Sequence, residues 1–297
     1  MRILILSRNG ELYSTRSLYN AARRRKHFVR VVDHMHCDLI IDDNRNVVYL
    51  HGQPLRGYDA VIPRIGNTVT MHGSAVIRHF ESMGVTSVLS ADALLKTRDK
   101  LSCMQILTEH GIAVPKTIIV NNYNQYHILH QRIPTFPKIV KLQSGTHGIG
   151  VVKVDDVKSL DTWMETFHGL RQKVMMQEFI AEAKGADIRI FVVGDEVVAS
   201  MKRSAKEGEF RSNLHRGGSS SIAEITEEER KVALEAVKVL GLHVAGVDLL
   251  RSNNGPLILE VNASPGLEGI ETTTHVDIAK KIIQFAERLA KYGPNEA

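Results

Sequence analysis

The chain has 297 residues, 43% of them hydrophobic, with 38 lysines and arginines against 33 aspartates and glutamates, for a formal net charge of +5 and a pI near 9.1. That length accommodates about two domains with a sizeable core. No apolar run approaches the roughly 20 residues of a membrane span, and the opening MRILILSRNG turns polar too early for a secretory signal, so the reading is a cytoplasmic protein without membrane attachment. Two cysteines, Cys37 and Cys103, are too few for a disulfide framework or a tetrathiolate zinc site and read as inert core thiols. The positive balance suits acidic partners, such as nucleotide phosphates, a glutamate-rich substrate or a ribonucleoprotein.

The first third alternates strand-like and helix-like segments: RILIL, a helix through STRSLYNAARRRK, VRVVD, DAVIPRI, and a helix from about HGSAVIRHFESMG. Alternation of this kind predicts a small parallel sheet with helices packed on it, an α/β domain over residues 1–95. No G-x-G-x-x-G follows the first strand, so dinucleotide binding has little support. The basic run Arg23 to Lys26 closes a helix, where cations suit the negative end of the dipole. Without interleaved aromatic side chains it reads as a solvated helix end, and no direct nucleic-acid contact is required of it.

Residues 96–297 read differently. A helix is predicted from Thr97 to His110, stopping at Gly111, followed by a strand in VPKTIIV. YNQYHILHQRIPTFP reads as a helix and a proline-punctuated turn, and KIVKLQSGTHGIGVVKV as strand, glycine loop, strand. Further strands are expected in VMMQEFI, DIRIFVVGDEVVASMKRSA and VAGVDLLRSNNGPLILEVN, with a helix in TEEERKVALEAVKVLG. Adjacent strands joined by short turns make antiparallel sheets, so this part is α+β, with a lid over about 115–180 and a C-terminal lobe over about 181–297.

Three stretches carry chemistry. In KLQSGTHGIGVV, Gly145, Gly148 and Gly150 let backbone N–H groups approach phosphate oxygens, with Lys141 on the strand leading in; no G-K-[ST] follows, so this is a hairpin lid rather than a Walker loop. In VDLLRSNNGPLILEVN, a loop of Asn253, Asn254 and Gly255 would set Ser252 opposite Pro256 and Asp248 opposite Glu260. Asn262, two residues on, shares their face. Two carboxylates about 5 Å apart need a cation between them, and an all-oxygen set favours Mg²⁺ or Mn²⁺. The third stretch, KRSAKEGEFRSNLHRGG, is a basic loop whose arginines could grip phosphate or carboxylate.

Taken together, Lys141 with SGTHGIG, then MMQEFI, GADIRIFVVG, RSNLHRGG, AGVDLL and LEVNASPGLEGIE resemble the ATP-grasp superfamily. With ILSR, DAVIPRIG and RDKLSCMQIL added, the whole chain resembles the RimK glutamate ligases, which attach glutamate to the C-terminus of small-subunit ribosomal protein number six. The resemblance implies a pre-ATP-grasp domain followed by an ATP-grasp fold with antiparallel sheets and a glycine-rich hairpin lid. It assigns Lys100 and Lys141 to ATP phosphates, Glu178 and Phe179 to the adenine site, Asp187 to the ribose, and Arg211, Ser212 and Asn213 to the nucleotide. Arg203 would reach the γ-phosphate or an acylphosphate, and His215 and Arg216 would face the amino acid. Asp248, Glu260 and Asn262 would hold two divalent ions, Mg²⁺ or Mn²⁺. The implied reaction is ATP-dependent ligation of L-glutamate to a protein C-terminus by a homotetramer. The same chemistry on a small molecule or carrier protein, and a regulatory ATP-binding module without turnover, are the alternative readings.

Overall fold

The computed structural model describes residues 1–42, 45–143, 150–206, 208–212 and 217–293. Strand β1 (Arg2–Leu6) leads through helix α1 (Tyr13–Arg24) to β2 (Phe28–Val32). A three-stranded antiparallel sheet follows, of β3 (Cys37–Asp42), β4 (Arg45–Leu50) and β5 (Gln53–Pro54), which the alternation of the sequence did not disclose. Then come β6 (Ala60–Pro63), α2 (Thr70–Ser82) and β7 (Thr86–Ser87). Strands β2, β1, β6 and β7 form a parallel sheet in that order. Its short inner strands are apolar on both faces because both are covered. The predicted 97–110 helix is two: α3 (Ala91–Arg98) and α4 (Lys100–Glu109). They break at Asp99, whose side chain accepts from the amides of Leu101 and Ser102 and so starts a new helix there.

The lid is a third sheet. Strand β8 (Thr117–Val120), helix α5 (Tyr126–Leu129), β9 (Lys138–Leu142), β10 (Val151–Val154), α6 (Val157–Gly169) and β11 (Val174–Glu178) follow in turn. The strands pair antiparallel in the order β10-β9-β11-β8. Helix α6 starts on a capping box, with Asp156 and Ser159 each accepting from the other's backbone N–H. Its Leu160, Met164 and Phe167 cover Val140, Val154, Val174 and Met176, so the lid has a core of its own.

The remaining elements are β12 (Ala186–Val193), β13 (Glu196–Ser204), β14 (Ser219–Ile222), α7 (Glu227–Val239), β15 (Val244–Ser252), β16 (Gly255–Asn262), α8 (Glu268–Thr274) and α9 (Ile278–Tyr292). Their five strands make an antiparallel sheet ordered β14-β13-β12-β15-β16. This sheet shares its cores with the N-terminal one. Leu4, Leu6 and Val61 pack in one cluster with Ile188, Ile190 and Val247. Ile3, Ile5 and Leu18 pack in another with Phe191, Ile270 and Ile282. Both cysteines are buried and free, and burial raises their thiols to about 11 for Cys37 and about 12 for Cys103, which keeps them protonated and unreactive. No described helix is long and apolar enough to cross a membrane.

The basic run at the end of α1 is more than a solvated helix end: it grips α9. Arg25 donates to both oxygens of Glu287 at 2.8 and 2.6 Å, and His27 Nε2 lies 2.6 Å from the same carboxylate. Arg24 meets Asp277 at 2.9 Å, but those side chains are 60% and 46% exposed. Glu287→Ala should therefore lower stability by about 1–3 kcal/mol, since it strands a fork and a buried imidazole. Asp277→Asn should change it by under about 0.5 kcal/mol, as exposed pairs do. Thermal unfolding of the two variants checks the contrast.

Candidate active site

Strand periodicity gathers four charges on one face of the C-terminal sheet. Asp187 and Arg189 lie two residues apart on β12. In register, Asp187 faces Arg203 of β13 and Arg189 faces Asp248 of β15. Arg189 grips Asp248 as a fork, Nε to Oδ1 and Nη2 to Oδ2, both 2.6 Å. Arg203 bridges the two acids: its Nη2 lies 2.8 Å from Asp248 Oδ2 and its Nε donates to Asp187 Oδ1 at 2.7 Å. The second oxygen of Asp187 accepts from the Ser212 hydroxyl. Asp187, Arg203 and Asp248 are all buried, and the quartet is neutral as a whole.

Burial works to raise the Asp248 carboxyl, but Arg189 and Arg203 together outweigh it and hold it below the usual carboxylate range. Asp187 goes the other way: burial, then the charge of Asp248, push it up against Arg203 and Ser212. Burial opposes charge on Arg203 as well, yet the two acids keep its guanidinium above its ordinary value.

The β15–β16 hairpin differs from its predicted form in an instructive way. Its loop is the two residues Asn253 and Asn254, with Ser252 opposite Gly255 rather than Pro256. That shift alone would set Asp248 against Leu259. A bulge restores the pairing: Leu249 faces Ile258, Asp248 faces Glu260, and Leu259 is the extra residue. Asp248 is buried while Glu260 is exposed, so the expected pair has one member in the core and one at the surface. Asn262 opposes Gly246, and its Nδ2 lies 3.5 Å from Asp248 Oδ2.

Among the described residues no three His, Cys, Asp or Glu side chains converge as a metal-binding group; this set is two carboxylates and an amide. Its chemistry nonetheless fits a hard divalent cation. Both carboxylates and the Asn262 amide carry oxygen, Glu260 is exposed, and the one contact of Asp248 beyond its three guanidinium bonds is the long 3.5 Å approach of Asn262 Nδ2, which a cation would displace.

The lid brings a lysine to this edge. Lys141 on β9 is 9% exposed and donates to Gln177 Oε1 at 2.8 Å; Gln177 in turn donates to the Thr117 hydroxyl. Burial lowers the Lys141 ammonium to about 8, with nearby Glu260 raising it and nearby Lys100 lowering it. Lys100 Nζ lies 3.4 Å from the Gln143 carbonyl at the lid's root. Gly150, at φ +70°, immediately precedes the return strand β10, where a β-carbon would sit 2.5 Å from Leu142 Cδ1. Gly145 and Gly148 lie outside the described residues, as do Asn213, His215 and Arg216.

Glu178, at the end of β11, accepts from the Lys116 amide at 2.6 Å, and the Phe179 ring lies 5.7 Å from Lys153 Nζ. Arg211 holds Glu209 through Nη2 at 2.7 Å and reaches the Val151 carbonyl at 3.5 Å, tying the basic loop to the lid hairpin.

A titration follows from the Lys141 environment. The folded amine loses its proton near pH 8 and the unfolded one near 10.5. The unfolded chain thus binds more protons between those values, and this group's contribution to stability rises with pH across that window. A phosphate placed beside Lys141 would restore its proton. Nucleotide binding at pH 8.5 should therefore take up about half a proton or more, read as the difference in binding heat between two buffers of unlike ionisation enthalpy. Lys141→Met should abolish the difference.

Sequence reasoning overlooked Arg189 and Gln177. The rule that flagged Glu260 and Asn262, polar residues two apart in an apolar strand, also marks Asp187 and Arg189 in GADIRIFVVG.

Two family models match: a RimK PreATP-grasp domain over residues 1–94 and a RimK-like ATP-grasp domain over residues 97–286. A probable alpha-L-glutamate ligase of Hydrogenovibrio crunogenus is 50% identical over 291 residues, 98% of this chain and 97% of the relative. One of Ectopseudomonas mendocina is 51% identical over 293 residues, covering 99% and 97%. Among solved structures, the ATP-grasp ligase PsnB complexed with minimal precursor, Mg and ADP superposes with a TM-score of 0.76 at 20% identity, over 97% of this chain and 98% of that one. D-alanine–D-alanine ligase of Bacillus anthracis superposes at 0.70 with 18% identity, over 100% and 99%.

Proposed function

The chain belongs to the RimK family of ATP-grasp ligases, and on that premise we propose that it joins L-glutamate through its amino group to a carboxylate at the C-terminus of a small-subunit ribosomal protein, at the expense of ATP. The observation that carries this reading is the end of the β15–β16 hairpin. Asp248 and Glu260 face each other there with Asn262 beyond, within the field of the lid lysine Lys141, in a chain half identical over its full length to probable alpha-L-glutamate ligases.

The acceptor carboxylate attacks the γ-phosphorus of ATP; ADP leaves and an acylphosphate forms. The glutamate amine then attacks the acyl carbon, inorganic phosphate departs, and the amine gives up a proton. Such a sequence needs no protein nucleophile; it needs alignment and neutralised charge. Lys141 and Lys100 hold the phosphates from the lid side, and Arg203 meets the transferred phosphoryl group from the sheet. Glu178 and Phe179 line the adenine, with Asp187, Arg211, Ser212 and Asn213 around the ribose and phosphates. Gly145, Gly148 and Gly150 would present backbone N–H groups of the lid to the phosphates, and lid closure would keep water from the acylphosphate. His215 and Arg216 face the amino acid. Asp248, Glu260 and Asn262 would hold two divalent ions, Mg²⁺ or Mn²⁺, which when bound would supply charge neutralisation for the nucleotide phosphates.

In this reading residues 1–95 form the pre-ATP-grasp domain and 96–297 the ATP-grasp domain, with a lid near 115–180. The enzyme works in the cytoplasm as a homotetramer, needs no nucleic acid, and can extend its product into short α-linked glutamate chains. Incubating it with ATP, Mg²⁺, glutamate and the ribosomal protein should raise that protein's mass in glutamate steps. No mass change, while the same enzyme releases ADP with a small carboxylic acid and an amine, would move the acceptor to a small molecule or carrier protein.

A further inference from the structure

At the junction of the N-terminal and C-terminal sheets two arginines stand without an acid. Arg64 is the first residue past β6, at the carboxyl end of a central parallel strand, where open α/β sheets bind ligands. Arg98 is the last residue of α3. Arg64 Nη2 donates to the Pro265 carbonyl at 2.6 Å, and Arg98 Nη2 donates to the Ile65 carbonyl. Among the described residues neither has a carboxylate within ion-pair distance, and Arg98 Nε and Ser264 Oγ are buried without partners.

Each guanidinium carries five N–H donors, so two carbonyls leave most of them unused. The pair also repel one another. Burial, then the charge of Arg98, lowers Arg64 to about 10, and burial lowers Arg98 against the pull of Glu260. Both residues are half-buried rather than sealed in the interior. Neighbouring cations with no counter-charge cost stability wherever water is scarce, and an anion that lies between them relieves the cost. Their position is specific: Pro265 lies three residues past Asn262, and the field of Arg98 reaches Glu260. The pair thus lies beside the hairpin proposed to hold the cation, Arg64 from the N-terminal domain and Arg98 from the start of the next, while Lys141 of β9 and Lys100 of α4 are assigned to the phosphates.

We propose that Arg64 and Arg98 form a carboxylate subsite for the amino-acid substrate, holding one of its free carboxylates so that its amine points toward the Asp248–Glu260 edge. This rests on the reading of the reaction given above, in which glutamate keeps two carboxylates free throughout. A guanidinium fork fits a carboxylate in two parallel hydrogen bonds, and the pair would select an acidic amino acid over its amide.

The test is calorimetric binding of L-glutamate, L-glutamine and L-isoglutamine to the whole protein with Mg²⁺ and a non-hydrolysable ATP analogue, for the wild type and for Arg64→Met, Arg64→Lys and Arg98→Met. We expect Arg64→Met and Arg98→Met to weaken glutamate by about 30-fold, the loss of a charge-assisted hydrogen bond or two, with nucleotide affinity within about twofold. One of the two amides should bind the wild type equally poorly, and neither Met variant should distinguish that amide from glutamate. Arg64→Lys, which keeps the charge and a melting temperature near wild type, should recover part of the affinity; if Arg64→Met does not fold, it and Arg98→Met carry the test. Glutamate binding unchanged in all the folded variants overturns the inference. So does a nucleotide affinity that falls as far as the glutamate affinity, which would make the ligand a phosphate. Failure of the reaction itself reads out separately: a wild type that binds glutamate through these arginines yet forms no product with ATP removes the proposed function and leaves the subsite standing.

Discussion

Glu260→Gln is expected to reduce ligation by about 10³-fold, the several kcal/mol that a correctly held divalent ion contributes to phosphoryl transfer, while leaving the melting temperature within about 1 °C of wild type, as surface changes do. The two halves of that expectation have separate causes. Glu260 is exposed and makes no described ion pair, so its replacement by an amide of the same shape strands nothing in the interior. Its charge nonetheless faces Asp248 directly across the ladder and acts on Lys141 and Arg98. Taking it away removes one oxygen anion from the cation site and leaves the surrounding cations less balanced. ADP release, product formation and thermal unfolding, measured on one preparation across a range of Mg²⁺, separate the effects. A loss of activity that high Mg²⁺ repairs in part places the defect in ion binding. Undiminished ligation would mean that Glu260 holds no ion.

How far the sequence discloses this site depends on whether a residue's role is local. Alternation along a strand is local, and it brought Glu260 and Asn262 to one face from LILEVN alone. The pairing of Asp248 with Glu260 was reached through a three-residue loop that the chain does not make; it holds because a bulge at Leu259 cancels the one-residue change in the turn. A turn sequence does not report a bulge four residues away. The β3–β5 sheet escaped notice because it is an antiparallel excursion inserted between β2 and β6, outside the strand–helix alternation that organised the reading, although LII and VVYL are apolar runs like the others. The arginine pair was illegible for another reason. Arg64 and Arg98 are 34 residues apart, and what sets them apart is the acid each lacks, which appears only when α3 and the Pro265 loop are packed together. Likewise RRRK reads as a solvated helix end until Glu287, on the last helix, is known to lie against it.

Asp248→Asn should remove activity as thoroughly as Glu260→Gln, and unlike it should also cost about 3–5 kcal/mol of stability, the penalty for breaking a buried ion pair from one side. The amide has the shape of the carboxylate, but its NH₂ must face a guanidinium, donor against donor, at a place where Arg189 and Arg203 now make three contacts of 2.6 to 2.8 Å. Among the described residues Arg203 then keeps Asp187 as its acid, and half-buried Arg189 keeps none. Acid unfolding distinguishes this cause from simple misfit. Because Arg189 and Arg203 depress the Asp248 carboxyl against the effect of burial, its stabilisation is fully present above its unfolded value and disappears as pH falls through the lower folded value. Wild-type stability should therefore drop along a component below about pH 4 that Asp248→Asn lacks. Asp187 contributes with the opposite sign, since its carboxyl is raised by burial and by Asp248 itself, and part of that shift should relax in the variant. Pairing Asp248→Asn with Arg189→Met completes the argument: removing the stranded cation should return about 1–3 kcal/mol of the lost stability through the coupling of neighbours and none of the activity, because the cation site still lacks the oxygen anion that Asp248 supplies. Equal stability in the single and double variants would show that Arg189 is held by something other than Asp248.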